Sequence, residues 1–232
     1  MKNRLAIALL TGFGIFLIQL ALMHQTQSTL NHTAEYYNSM TPAEVGAANV
    51  VTAIVVTYRG LDTLGEVTVL FLTALIIGFL LRGSGSLSPK KRPTMEILTT
   101  SARVLIPGSM VLGIYIFING HLTPGGGFQG GAIIGTAISL MILAEPTRII
   151  PKAVIHWMES TAGVLYVVIG LAGLVFAGGF LDNRILPLGE LGQLFSAGAI
   201  PVIYSLIGLK VGAELSSIMV RINETGTNTL GQ

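Results

Sequence analysis

The sequence predicts an all-α integral membrane protein with about seven transmembrane helices, three before a basic linker and four after it. Of the 232 residues, 51% are hydrophobic and only 10% are charged, and the mean hydropathy is +0.74. Soluble domains carry about a quarter charged residues, so a chain with so few charges belongs in a bilayer. Its apolar stretches recur at lengths near the roughly 20 residues that a spanning helix needs.

Composition also excludes several classes of function. The chain contains no cysteine, so it forms no disulfide and supplies no thiolate to a metal or an iron–sulfur cluster. No set of residues has metal-ligand spacing, and we expect no cofactor. The formal charge of +2 comes from 13 basic and 11 acidic residues and gives no reason to expect nucleic-acid binding.

Three apolar stretches precede the linker. Residues 5–22 lack a convincing signal-peptide cleavage site, so we predict a retained helix. Residues 45–58 are free of charge but short, and they reach spanning length only if Pro42 lies in the first turn, where proline is tolerated. Residues 62–81 complete the set.

A flexible basic segment, residues 83–93, is the one clear boundary. It separates a predicted three-helix domain, 1–82, from a four-helix domain, 94–222, which is followed by a polar tail, 223–232. The four spans of the second domain are predicted at 97–118, 130–143, 156–178 and 194–220.

Orientation follows from the excess of lysine and arginine in cytoplasmic loops. Placing the linker inside also predicts a cytoplasmic C-terminus and an external loop at residues 120–131. The basic residues that this orientation places inside are Arg82, Lys90, Lys91, Arg92, Arg148, Lys152 and Arg221. Seven spans would leave Lys2 and Arg4 outside, against the rule. If residues 45–58 entered the membrane without crossing it, the N-terminus would be inside and the bias would improve.

Residues 120–131 read Gly-His-Leu-Thr-Pro-Gly-Gly-Gly-Phe-Gln-Gly-Gly. They match the dinucleotide pattern G-x-G-x-x-G literally, but that pattern requires a preceding strand and here an apolar helix is predicted. The favoured interpretation is a tight turn followed by close helix packing, because Gly127, Gly131 and Gly135 lie four apart on one helix face. The alternative is that its backbone amides and His121 contribute to an ion or water path. The residues of this structural motif are Pro124, Gly125, Gly126, Gly127, Phe128, Gln129, Gly130 and Gly131.

Ionisable residues inside apolar stretches are functional candidates, since one charge at the bilayer centre costs about 2.5–3.5 kcal/mol on insertion scales. Asp62 and Glu66 lie four apart on one helix face. Asp62 suits a helix-capping role, with Arg59 as a partner. For Glu66, a structural role and a role in an ion path are about equally supported by the residues alone.

A second acid–base pair lies deep in the last predicted span, where Lys210 and Glu214 are also four apart. The pair either neutralises itself and holds the helix in an assembly, which we favour, or relays protons between two groups. For His121, hydrogen bonding within the loop is favoured over proton transfer.

Two of these segments resemble known families. The run Gly120–Gly131 is similar to the signature of the MnhB subunit of Mrp/Mnh-type multisubunit Na⁺/H⁺ antiporters, a domain that recurs in archaeal energy-converting membrane-bound hydrogenases. The run Tyr58-Arg-Gly-Leu-Asp-Thr-Leu-Gly-Glu66, with Asn49-Val-Val-Thr-Ala-Ile-Val-Val before it, resembles the E-type hydrogenase subunit. The E-type protein corresponds to the C-terminal end of the A-type antiporter subunit and is distantly related to a small membrane subunit of respiratory complex I. The two similarities cover residues 42–82 and 94–222, and their fusion through the linker departs from the common arrangement.

The resemblance implies a non-catalytic membrane subunit of an antiporter module that moves H⁺ and Na⁺, either alone or coupled to a redox arm. Its partners would be the lipid bilayer and other membrane subunits. Glu66 would be the first candidate for the ion path, since the Asp-Thr-x-Gly-Glu element of this family is thought to lie along the polar membrane axis. Lys210 and Glu214 would come second. The alternative is a purely structural scaffold subunit without an ion path of its own.

Overall fold

The computed structural model describes residues 2–23, 29–81, 94–146, 148 and 150–225, and the regular structure of these residues is entirely helical. The chain divides into two compact units, residues 1–36 and 37–232. The first unit contains α1 (Lys2–Met23) and the start of α2 (His32–Glu44). The basic linker lies outside the described residues, as does most of the polar tail.

The second unit contains the remaining helices. A short helix, α3 (Val50–Ala53), runs directly into a π-helical turn at Ile54–Tyr58. A 3₁₀ turn at Asn183–Ile185 interrupts the long connection before the last helix. The long helices are α4 (Gly60–Leu81), α5 (Glu96–Ile118), α6 (Gly127–Ala144), α7 (Lys152–Phe176) and α8 (Ile200–Thr225).

Five helices of the described chain, α4 to α8, are long and apolar enough to cross a membrane. α8 is the central helix, since it packs against α4, α5, α6 and α7 and is the most buried of the five. Its inward residues Ile203, Ile207 and Val211 form the core with Tyr166 of α7. Many large apolar side chains of α4, α5 and α7 are exposed, as expected of helices that face lipid or neighbouring subunits.

The predicted count of seven spans is not confirmed, and the predicted second span is interrupted. Pro42 lies near the end of α2 rather than in a first turn, and Gly46 adopts a φ of +71° just beyond that helix. Asn49 then starts a new helical segment by accepting hydrogen bonds from the amides of Val51 and Thr52. The nine helical residues that follow rise only about 14 Å, which is less than half of a hydrocarbon core about 30 Å thick.

Contacts at the helix ends show which connections share a side of the bundle. At one end, Lys152 of α7 forms an ion pair with Glu224 of α8, and Gly78 of α4 faces the guanidinium of Arg221. At the other end, residues 45–60 meet the Gly120–Gly126 loop and the connection from 177 to 199. The end of α4, the start of α5, the start of α7 and the end of α8 therefore lie opposite the glycine-rich loop.

Candidate functional site

A buried ion pair occupies the middle of the central helix. The Nζ atom of Lys210 lies 2.7 Å from Oε1 of Glu214, one helical turn later. Lys210 is 8% exposed and Glu214 is fully buried. At 1.5 Å per residue, the two residues lie about 15 and 21 Å from Ile200 along a helix about 38 Å long. The sequence-predicted pair is therefore brought together at the depth where an uncompensated charge is most expensive.

The surroundings of the pair come from three helices. The ammonium of Lys210 lies 4.7 Å from the centroid of the Phe71 ring in α4, within cation–π distance. A side chain at Gly163 of α7 would bring a Cβ to 3.3 Å from Nζ, so this glycine leaves the lysine its space. Apart from the ammonium of Lys210, the carboxylate of Glu214 has no hydrogen-bond partner among the described residues.

Polar residues on one face of α7 extend this site along the bundle. His156, Glu159, Gly163 and Tyr166 follow one another at spacings of three or four residues and so share a face. Tyr166 is buried and its hydroxyl has no hydrogen-bond partner in the described part of the chain.

Beside the pair, a pocket of about 320 Å³ opens between the start of α7 and the end of α8. It contains both acidic and basic groups, and Ser217 lines it only three residues beyond Glu214. Its polar lining residues are Lys152, His156, Glu159, Ser217, Arg221 and Glu224. No group of three potential metal ligands occurs in the described residues.

The first-ranked sequence candidate, Glu66, lies elsewhere. It is on the exposed outer face of α4, six residues after the helix begins. Gly60, at the start of the same helix, contacts Leu181, so Glu66 lies toward the end of the bundle opposite the pocket. Asp62 is exposed, lies in the first turn of α4 and forms an ion pair of 2.6 Å with Arg59, an arrangement that suits a structural role.

The glycine-rich run forms a turn and then packs tightly. Gly125 adopts a φ of +144°, which only glycine adopts readily. Cβ atoms at Gly127, Gly131 and Gly135 would lie 2.6 to 2.8 Å from atoms of α8, so this face of α6 contacts α8 through its backbone. Gly130 contacts α5 in the same way, Phe128 packs on the core, and Pro124 and Gln129 are not buried.

His121 lies at the base of this loop, completely buried, with Nε2 3.3 Å from the carbonyl oxygen of Gln193. Burial lowers the pKa of His121 below its ordinary value, against a smaller opposing effect of nearby backbone groups. The imidazole is therefore neutral near pH 7. The structure keeps it apart from the Lys210–Glu214 pair, near the other end of α8.

A polar cluster that the sequence did not reveal ties the two resembling segments together. Asn49 donates through Nδ2 to the carbonyl oxygens of Gly120 and Thr123, both at 2.9 Å. The hydroxyl of Thr52 donates to the Gly120 oxygen at 2.6 Å, and Tyr204 of α8 donates to Thr52 at 3.1 Å. No local pattern predicts these contacts, because their partners lie far apart in the chain.

Asn183 makes a similar long-range connection. Its Nδ2 donates to the carbonyl oxygens of Val45, at 2.8 Å, and Ala197, at 3.0 Å.

The sequence interpretation also missed two polar residues near the buried pair, Tyr166 of α7 and Ser217 of α8. Tyr166 shares a helix face with His156 and Glu159, and Ser217 shares one with Lys210 and Glu214. These helical spacings could have indicated both residues.

Comparison with known proteins agrees with this geometry. A family model described as a domain related to the MnhB subunit of Na⁺/H⁺ antiporters matches residues 97–217. A second model, MbhE, described as the E subunit of MBH, matches residues 2–103. The two matches overlap at residues 97–103, in the first turns of α5.

Solved structures and relatives extend the similarity over the whole chain. A chain of the membrane-bound sulfane sulfur reductase, an archaeal respiratory membrane complex, is 44% identical, with a TM-score of 0.80 over 95% of this chain and 97% of that one. A chain of the Mrp complex from Dietzia sp. DQ12-45-1b is 26% identical, with a TM-score of 0.75 over all of this chain and 27% of that one. A probable K⁺/H⁺ antiporter A/B subunit of Rhizobium meliloti strain 1021 is 27% identical over 91% of this chain and 24% of its own length.

The MnhB-related model covers just over half of the sequence, and the sulfane sulfur reductase chain matches almost end to end. The expected combination of an E-type segment with an MnhB-type domain is confirmed. Together with the five apolar helices, these matches make the chain a multi-pass membrane protein. The protein belongs to the family of membrane proteins whose C-terminal domain is related to the MnhB subunit of Na⁺/H⁺ antiporters.

Proposed function

We propose that this chain is a non-catalytic membrane subunit of an Mrp-type antiporter module and contributes to the translocation of H⁺ or Na⁺ in a larger complex. The host is either a stand-alone antiporter or a redox-driven complex in the cytoplasmic membrane. The family match and the likeness to chains of two membrane complexes support membership in such an assembly. The Lys210–Glu214 pair, buried halfway through the central helix, is the observation that carries the role in translocation.

The energetics of a buried pair favour a function beyond stability. Two charges that are taken out of water lose hydration energy, and their mutual attraction offsets this loss only in good geometry. Replacing such a pair by apolar side chains of similar volume often leaves the stability of the protein unchanged or higher. Glu214 has no hydrogen-bond partner besides Lys210 in the described chain, so the pair is not optimised as a structural element. A pair of this kind suits a relay, in which the groups exchange protons.

The relay works in three balanced steps. A proton that arrives from the pocket side neutralises the Glu214 carboxylate. Lys210 then has no counter-charge in a low-dielectric setting and releases its proton towards Tyr166 and Glu66. The proton on Glu214 passes over 2.7 Å to Nζ of Lys210 and restores the ion pair. One proton enters and one leaves in each cycle.

The positive-inside rule, applied to the two ends of the bundle, supports one orientation of the chain. With the end of α4, the start of α5 and the end of α8 inside, the C-terminus is cytoplasmic and the glycine-rich loop is external. Residues 45–58 do not cross the bundle, so a spanning α1 would place Lys2 and Arg4 inside with the other basic residues.

Two neutralising substitutions test the function in the assembled complex. Glu214→Gln and Glu66→Gln are compared with Glu145→Gln, which removes an exposed charge paired with Arg148 at the end of α6. Na⁺-dependent proton movement is followed by a pH-sensitive dye in everted membrane vesicles, and assembly by native electrophoresis.

We expect Glu214→Gln to reduce transport at least tenfold, while Glu145→Gln leaves it near the wild-type rate. A smaller reduction is expected for Glu66→Gln, which is on the outer face. Normal transport by an assembled Glu214→Gln complex would instead support the scaffold alternative.

A further inference from the structure

We infer that the pocket between the start of α7 and the end of α8 is a water-filled vestibule that connects the cytoplasmic side to the Lys210–Glu214 pair. The inference rests on the proposed function and deepens it, because it names the route by which protons or hydrated cations reach the pair. The vestibule is defined by Lys152, His156, Glu159, Ser217, Arg221 and Glu224.

The lining suits water rather than lipid. Two acidic and two basic side chains, a histidine and a hydroxyl line a volume of about 320 Å³ together with Ala153, Ile155 and Val220, and water occupies roughly 30 Å³ in the liquid. The space can therefore hold several molecules with abundant hydrogen-bond partners. Acyl chains in the same position would remove water from the charged ends of these side chains, which is costly even for paired charges.

The vestibule leads to the pair along α8. Ser217 lines the pocket three residues after Glu214, a rise of about 4.5 Å. On the opposite wall, Glu159 of α7 lines the same pocket. The carboxylate of Glu214, about one turn of α8 further in than Ser217, is fully buried and has no hydrogen-bond partner besides Lys210 in the described chain, as expected for a group that receives protons from this space.

The ion pair between Lys152 and Glu224, at 2.6 Å, joins the ends of the two helices that form the walls. Both side chains are substantially exposed, so the contact is weak and can open readily. It links the two walls without sealing the vestibule.

Adjacent serines of α8 provide a matched test, since the wild-type chain contains no cysteine. Ser217 lines the pocket, whereas Ser216 is buried and donates to the Gly212 carbonyl oxygen. Ser217→Cys and Ser216→Cys complexes in everted vesicles are treated with the charged thiol reagent MTSET. Mass spectrometry of this chain gives the modification rate. Ile155→Cys, on the α7 wall, replaces Ser217→Cys if that variant does not assemble.

We expect Ser217→Cys to react at least tenfold faster than Ser216→Cys, and its modification to reduce Na⁺-dependent proton movement at least fivefold. Equal rates, or complete modification with unchanged transport, would overturn the vestibule. If the cysteine is unreactive while Glu214→Gln still abolishes transport, only the vestibule fails. If the cysteine reacts and the assembled Glu214→Gln complex transports normally, the proposed function fails and the vestibule's role as its route fails with it.

Discussion

At the scale of single residues, His121 and Glu214 show that the surroundings of a buried side chain decide what it can do. His121 and Glu214 are both completely buried and both titratable, yet they have different surroundings. His121 lies among backbone carbonyls in a loop outside the spans, where a neutral imidazole is stable. Glu214 lies inside a helix bundle next to an ammonium group. His121 is therefore suited to stabilising the loop, and Glu214 to exchanging protons.

A pH dependence follows for the loop. Because burial lowers the pKa of His121 in the folded protein, the unfolded loop binds the proton more readily. The stability that His121 contributes is therefore present above its ordinary pKa near 6.5 and is lost as the pH falls through that value towards the lowered one. We expect hydrogen-exchange protection of residues 119–126 to fall between about pH 7.5 and 5.5.

The same measurement on His121→Gln provides the control. Glutamine retains a hydrogen-bond donor and does not titrate in this range, so its protection factors are expected to change little with pH. An equally large loss of protection in this variant would assign the effect to another group.

The two roles of Asn49 can be separated by one substitution. Asn49→Asp keeps the oxygen that caps α3 but removes the Nδ2 donor to the oxygens of Gly120 and Thr123. Each lost hydrogen bond is worth about 0.5–1.5 kcal/mol. We expect faster proteolysis of the 119–126 loop in the assembled complex.

Asn31→Asp is the matched control, since Asn31 caps α2 through Oδ1 at an exposed position. It should leave the loop as resistant as in the wild type. Unchanged proteolysis of Asn49→Asp would show that the Asn49 bridge does not hold the loop.

At the scale of elements, the close contact between α6 and α8 depends on the glycines of α6. A Cβ at Gly131 would lie 2.7 Å from the backbone oxygen of Gly208 and 2.8 Å from Cβ of Val211. Neither atom is the end of a flexible side chain, so the two helices must separate to accept it. We expect Gly131→Ala to destabilise the protein by about 1–3 kcal/mol through overpacking, measured by thermal unfolding of the purified complex.

Gly108→Ala serves as the control because nothing lies within 4 Å of the new Cβ in α5. Alanine is the better helix former by about 0.5–1 kcal/mol, so this variant should be neutral or slightly more stable. Equal losses in the two variants would show that helix propensity, and not contact with α8, explains the glycine face.

At the scale of the whole molecule, the family and the proposed function place this chain among other membrane subunits. The carboxylate of Glu66 lies on the exposed outer face of α4, an apolar helix long enough to cross a membrane, and a charge there is costly unless another protein or water covers it. We expect antiporter-like membrane subunits to co-migrate with the tagged protein after mild-detergent purification, where mass spectrometry identifies them.

Additional iron–sulfur or nickel-binding subunits in that preparation would identify a redox-driven host. Antiporter subunits without them would identify a stand-alone antiporter. A chain that purified alone and still moved ions in liposomes would contradict membership in a larger complex.

Sequence patterns predicted the parts of this molecule that depend on local chemistry. Apolar stretches predicted α4 to α8 because bilayer thickness fixes helix length, and the four-residue spacing of Lys210 and Glu214 predicted their contact. Charge-free composition alone misled at residues 45–58, where Gly46 and Asn49 interrupt the helix. The bridges of Asn49, Thr52, Tyr204 and Asn183 could not be predicted, since they depend on distant segments meeting at one end of the bundle.

The most direct test of the central claim replaces both members of the buried pair. Glu214→Gln alone leaves a buried ammonium without a partner and risks loss of assembly, whereas Lys210→Met with Glu214→Met removes both charges, and such replacements are often neutral or stabilising. Transport and assembly of this double variant are measured together in everted vesicles. We predict a complex that assembles normally and has lost Na⁺-dependent proton movement, whereas wild-type transport by the assembled double variant would contradict an ion path through the pair.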